Sequence, residues 1–189
     1  MLLRAQEKFP NDVDLTGVLG WVYRKSRPPR FTDARSCFRR SYELNSKNEE
    51  MYCHWARMEM AVPDWTKSAD AAEKGLEKQP QSKELFFLAG NAHSRLGQEL
   101  EARVQAVSSQ DEFHRALQFL DKAVAIVGSG NSQSRDLDKQ IYRAMVITCA
   151  KLQDRKKLAD TFDSWLKEHP DDPNAQSEWE RLAPRFGLE

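Results

Sequence analysis

The sequence predicts an all-α protein, and three observations carry that prediction. Apolar residues recur at spacings of three and four along nearly every segment, which is the period of one helix face. No segment shows the two-residue alternation, rich in β-branched residues, that marks a strand. The segments are cut by short polar or proline-bearing turns such as "EKFPNDVDL", "ELNSKNEEM", "EKQPQSKEL" and "KEHPDDPNA". Two of these turns, at Ser46 and Pro80, lie 34 positions apart.

The first helix is predicted in "DVDLTGVLGWVYRK", where Val13, Leu15, Val18, Leu19, Val22 and Tyr23 form the apolar stripe. "SRPPR" follows as a turn, because two prolines cannot continue a helix interior. "FTDARSCFRRSYEL" repeats the stripe with Phe31, Ala34, Cys37, Phe38, Ser41 and Tyr42. Thr32 or Asp33 is expected to cap its start. "EEMYCHWARMEMA" is the next helix, Pro63-Asp64 the next turn, and "WTKSADAAEKGLEK" the helix after it. "KELFFLAGNAHSRL" begins beyond Gln79-Pro80. It runs into "QELEARVQAVSSQD", a good helix-forming stretch expected to lengthen the flanking helices rather than to form a loose loop. Helical stripes resume in "RALQFLDKAVAIV". "GSGNSQSRD" then reads as a flexible Gly/Ser linker. "LDKQIYRAMVITCAKL", "KKLADTFDSWLKEH" and "NAQSEWERLAPRF" complete the chain.

Composition narrows the class of function. At 189 residues, with 40% apolar content, five Trp and nine Phe, the chain can bury a core. The 29 basic and 29 acidic residues balance, so total charge gives no electrostatic footprint for DNA or an anionic membrane. Cys37, Cys53 and Cys149 are an odd, scattered set, which predicts three buried reduced thiols and a cytoplasmic location rather than a disulfide framework. The apolar run in "MLLRAQEKFP" is too short for a signal peptide. No window approaches the roughly 20 apolar residues of a membrane helix.

No enzyme signature is present, and none for a metal or cofactor. His54, His93, His114 and His169 form no metal-ligand spacing, and Cys53 and His54, adjacent on one helix, point apart. Gly128 to Gly130 lacks the spacing of a phosphate loop. Asp171-Asp172 reads as a helix cap rather than a catalytic pair.

A helix–turn–helix period of about 34 residues is that of the tetratricopeptide (TPR) family, and the chain resembles that family over nearly its whole length. Its pattern is matched by Leu19-Gly20, Tyr23, Ala34, Phe38, Ser41 and Ser46 in the first full repeat. Tyr52, Trp55-Ala56, Ser68, Ala72, Gly75 and Pro80 match it in the second. The third carries Phe86, Ala89-Gly90 and His93, then Ala116, Leu120 and Ala123 about fourteen positions late. The fourth carries Tyr142, Met145-Val146, Leu158, Phe162, Trp165 and Pro170.

The resemblance implies a right-handed superhelical solenoid of antiparallel helix pairs, forming one domain over residues 1–189. Its repeats are 13–46, 49–80, 83–128 and 136–170, with a helical insertion at 98–111 in the third. Residues 1–10 read as a partial repeat or an N-terminal cap helix, and 173–187 as the C-terminal capping helix. The partial repeat suits either a standalone adaptor or the TPR arm of a larger protein.

The resemblance also implies a binding groove on the first helices of the repeats. Here that face carries Trp21, Arg24 and Lys25; then Cys53, Arg57 and Met60; then Phe87, Asn91 and Arg95; then Arg143, Ile147 and Lys151. The set is basic and apolar with almost no acid, so a protein or peptide partner with acidic character is expected. A second copy of the chain is a further candidate occupant. TPR domains that grip a chaperone's C-terminal carboxylate use Lys and Asn on the first repeat's groove face, whereas those places here hold Gly17 and Trp21. The alternative function is a helical-repeat nucleic-acid binder using the Arg-rich 24–40 region: Arg24, Lys25, Arg27, Arg30, Arg35, Arg39 and Arg40, with Trp21, Phe31 and Tyr42 nearby. Neutral total charge and the lack of a base-reading code weigh against it.

Overall fold

A computed structural model describes residues 7–128 and 131–188. Every regular element among these residues is helical, and no strand occurs among them. Nine α-helices follow one another among the described residues: α1 Val13–Lys25, α2 Phe31–Glu43, α3 Glu49–Ala61, α4 Trp65–Lys78, α5 Lys83–Ala102, α6 Ala106–Ala125, α7 Ser132–Leu152, α8 Arg155–Glu168 and α9 Pro173–Phe186. No helix among the described residues is long and apolar enough to cross a membrane. Of the opening segment, residues 1–6 lie outside the described residues, and Glu7 and Lys8 are helical.

Short polar side chains set most of the helix starts. Asp12, Asn48, Asp64, Asn131 and Asp154 each accept a hydrogen bond from the backbone N–H three residues on. Asp172 accepts from the Asn174 N–H, with Pro173 at the first helical position. Each such cap satisfies an otherwise orphaned donor and is worth about 1 kcal/mol. Two sequence expectations are corrected by cap geometry. α2 starts at Phe31 with Arg30 before it and no side-chain cap. Thr32 and Asp33 therefore lie inside the first turn, where Asp33 accepts from Arg30 Nε at 2.7 Å. The Gly/Ser linker is also shorter than expected. Asn131 caps α7 by accepting from the Ser134 N–H at 2.7 Å, so Ser132 to Asp136 are helical. Ser129 and Gly130 lie outside the described residues.

The chain forms two compact units, Met1–Ala89 and Gly90–Glu189. In the first, α1 packs on α2 and α3, α2 on α3, and α3 on α4. Its core holds Leu19, Phe38, Tyr52, Trp55, Met58 and Leu85, all buried, with the Phe38 and Trp55 rings stacked at 6.4 Å. Close approach of α1 and α2 requires Gly20: a Cβ there would stand 2.6 Å from the Phe38 ring. α1 and α3 run side by side in the same direction. Gly17 faces Met51, and the Trp21 ring lies 6.3 Å from that of His54, so each contact joins positions 33 or 34 apart.

In the second unit, α6 packs on α7, α7 on α8, and α9 on both α7 and α8. The core gathers Leu117, Tyr142, Val146, Cys149, Leu158, Phe162, Trp165, Ala175 and Leu182. Gly90 meets Leu120 and Gly97 meets Phe113, so the second half of α5 lies antiparallel to α6. The 98–111 segment supplies the end of α5, the turn and the start of α6, and both helices reach 20 residues.

The turn between α5 and α6 holds Val104 at φ +62, with 89% of its surface exposed. A β-branched residue is strained there, and no packing compensates at so exposed a site. Val104→Gly is expected to raise the unfolding free energy by about 1 kcal/mol. A urea melt that shows no rise in midpoint would contradict the reading of strain.

Candidate functional site

In the first unit, the side-by-side placement of α1 and α3 leaves an apolar pocket of about 370 Å³, lined by Gly17, Val18, Trp21, Asn48, Glu50, Met51 and His54. Gly17 lines it without a side chain, and a Cβ there would stand 3.2 Å from Met51. Val18 and Trp21 stand at its mouth, 45% and 41% exposed, and are large apolar groups left to solvent. One turn beyond Trp21 on α1 comes Arg24, and one turn beyond His54 on α3 comes Arg57. The pocket thus has an aromatic wall, and one arginine on each helix follows its lining residues by one turn.

The two guanidinium groups differ in their partners. Arg57 pairs with Glu84 at 3.0 Å. Arg24 is half-buried and forms no ion pair or hydrogen bond with any described residue. Burial, and then the charge of Arg57, hold its pKa below the usual arginine value. The same surroundings act on His54. Burial lowers its pKa, Arg24 and Arg57 lower it further, and Glu50 and Glu84 oppose them. Its Nδ1 is buried with no hydrogen-bond partner among the described residues. A neutral imidazole, an exposed indole and a guanidinium with no partner among the described residues therefore share one face.

The other expected groove residues are placed as follows. Lys25 is exposed at the end of α1, and Met60 is half-buried. Cys53 is 3% exposed and Phe87 7%, so neither offers an outward surface. Cys53 faces Glu84, and its thiol pKa is raised, first by burial and then by that carboxylate. In the second unit, Asn91 is half-buried and Arg95 is exposed. Arg143 reaches Glu178 at 3.5 Å, and Lys151 reaches Glu101 at 2.6 Å. Lys151, Ile147, Arg181, Arg185 and Glu101 help line a pocket of about 330 Å³.

The expectation of a face with almost no acid is thereby corrected. Glu84, Glu101 and Glu178 come from positions outside the counted helix face and pair with Arg57, Lys151 and Arg143. Counting residues along one helix face cannot see carboxylates that reach in from a neighbour. Counting also missed Val18 and His54. Val18 fits the core stripe of α1 by spacing, and only the pairing of α1 with α3 shows it to be exposed.

Several cations of the Arg-rich 24–40 region are likewise occupied. Arg30 binds Asp33, Arg40 approaches Glu43 at 3.5 Å, and Arg35 grips the buried Glu59 through two hydrogen bonds of 2.6 Å. Arg30 also lies over the Tyr23 ring at 4.4 Å.

Cys37, Cys53 and Cys149 are free and buried. Burial raises the Cys37 thiol pKa and pushes that of Cys149 up to about 12, so both stay protonated at neutral pH. No group of three or more His, Cys, Asp or Glu among the described residues is placed to hold a metal ion. No protein-family model and no curated protein matches the chain.

Proposed function

We propose that this chain is a non-catalytic protein-interaction scaffold of TPR-like design, and that α1 and α3 of its first unit bind a segment of a partner protein. The observation that carries this reading is the pocket between the two helices. Exposed Val18 and Trp21 line it, and Arg24, without a partner among the described residues, follows Trp21 by one helical turn. An exposed aromatic anchor next to a desolvated arginine is the composition of an interaction hot spot. Two further contacts support the repeat design. α1 and α3 lie parallel at an offset of 33 or 34 positions. In the second unit, Arg143 of α7 pairs with Glu178 of α9, 35 positions on.

The nucleic-acid alternative draws less support, because Arg30, Arg35 and Arg40 already hold carboxylates. A phosphate backbone would have to displace those partners.

The test is affinity capture from native lysate with the wild type and with Trp21→Ala/Val18→Ser. Both side chains are substantially exposed, so the variant should keep its helical circular dichroism and its Tm. The expected result is loss of a specific protein partner, with affinity falling about tenfold or more, as for removal of an aromatic hot-spot residue. Equal capture by both proteins would sink this assignment of the site.

A further inference from the structure

We infer that the segment bound by α1 and α3 presents one apolar side chain with acidic side chains to one side of it, the apolar group filling the Trp21 pocket and a carboxylate pairing with Arg24 beside Arg57. This rests on the proposed interaction function and names the chemistry of its partner.

Three features of the site argue for a carboxylate at that end. Arg24 is half-buried without a counter-ion among the described residues. A guanidinium in that setting has lost hydration without gaining a partner, and an incoming carboxylate restores charge-assisted hydrogen bonds. Arg57 is close enough to influence Arg24 electrostatically, and Glu84 is placed to neutralise only one of the two. The pair therefore keeps net positive charge. His54 adds no charge there: burial and the two arginines hold its pKa down, and its buried Nδ1 has no hydrogen-bond partner among the described residues. Protonating His54 would add a third like charge, so an anion at this place is compensated by the arginines and tolerated by the imidazole.

The occupant is a run of acidic side chains rather than a single chain-terminal carboxylate. Beyond Arg24 the positive charge continues through Lys25 and Arg27, both exposed and without a carboxylate partner among the described residues. A lone terminal carboxylate would use only the first of these cations. The opposite end of the pocket carries Glu50, which disfavours acid there. The placement is thus an apolar group over Gly17, Val18 and Met51, with acids toward the C-terminal ends of α1 and α3.

A random-peptide library displayed on phage, panned on the purified full chain, tests this. Enriched peptides are then synthesised, with Asp/Glu in one series replaced by Asn/Gln. A second series has no internal acid and a free C-terminal carboxylate. The expected result is an aliphatic or aromatic residue with acids clustered on one side of it. Affinity should fall about tenfold in the amide series, the size of losing one charge-assisted hydrogen-bonded contact. A matching fall should appear with Arg24→Gln, whose helical circular dichroism and Tm are checked first because Arg24 is half-buried. Peptides that need Trp21 but bind equally well as amides would overturn the acidic partner while leaving the interaction site standing. Tight binding by the terminal-carboxylate series alone would overturn the choice of acidic side chains. Enriched peptides that bind Trp21→Ala unchanged would overturn both the inference and the site on which it rests.

Discussion

Trp165→Ala is expected to destabilise the second unit by about 4 kcal/mol, a large part of the stability of a domain this size. Trp165 is wholly buried and is the largest side chain of its core. Its ring stacks on Tyr142 and Phe162, both at 6.3 Å. Its indole N–H also donates to Asp172 Oδ2 at 3.1 Å. Asp172 is itself 2% exposed and caps α9. The substitution therefore leaves a cavity and strips a buried carboxylate of a donor at once. Denaturant unfolding, followed by near-ultraviolet circular dichroism, measures the loss. A cost below about 2 kcal/mol would mean that the site collapses freely, contrary to the packing described.

Arg35→Ala is expected to cost about 3 kcal/mol in the first unit. Its partner Glu59 is fully buried, and Arg35 holds both carboxylate oxygens at 2.6 Å while Trp55 Nε1 donates to one of them at 3.2 Å. Without the arginine, a buried charge keeps only the indole bond. The hydrogen bond to Glu59 is also the largest influence on Arg35, raising its pKa. The double substitution Arg35→Met with Glu59→Leu removes both charges together and should recover much of the loss. Denaturant melts of Arg35→Met, Glu59→Leu and the double variant form the cycle that measures the coupling. Additive losses would show that the pair contributes little beyond its separate side chains.

The helical class was legible because it rests on local signals. Apolar spacing sets the faces, and Asp12, Asn48, Asp64 and Asp154 announce their helices by chemistry confined to one turn. Where two local signals compete, the reading slips. Asn131 caps α7 within a stretch whose Gly and Ser content suggests a linker. Arg30 precedes α2 without capping it, although Thr32 and Asp33 carry capping side chains.

The candidate site was only partly legible, for a different reason. Trp21 and Arg24 could be chosen from one face of α1, and Arg57 from one face of α3. The pocket they border is a property of two helices: it needs Gly17 opposite Met51, and Val18 turned to solvent. Carboxylates such as Glu84 and Glu178 enter from other helices and change the local charge. Phe87 lies on the expected face and is nonetheless buried. A one-dimensional period specifies which residues share a stripe; tertiary neighbours decide which part of that stripe meets water.

The central claim is that the α1–α3 face of the first unit contacts the partner. The most direct measurement places a photocrosslinking amino acid at Val18 and, in a separate protein, at exposed Ser164 of α8. Both are irradiated in living cells, and the adducts are resolved by mass. A discrete protein adduct is expected from position 18, absent from position 164 and weakened by adding Arg24→Gln. The same adducts from both positions, or none from position 18 while the protein is folded and partner-bound, would contradict the claim.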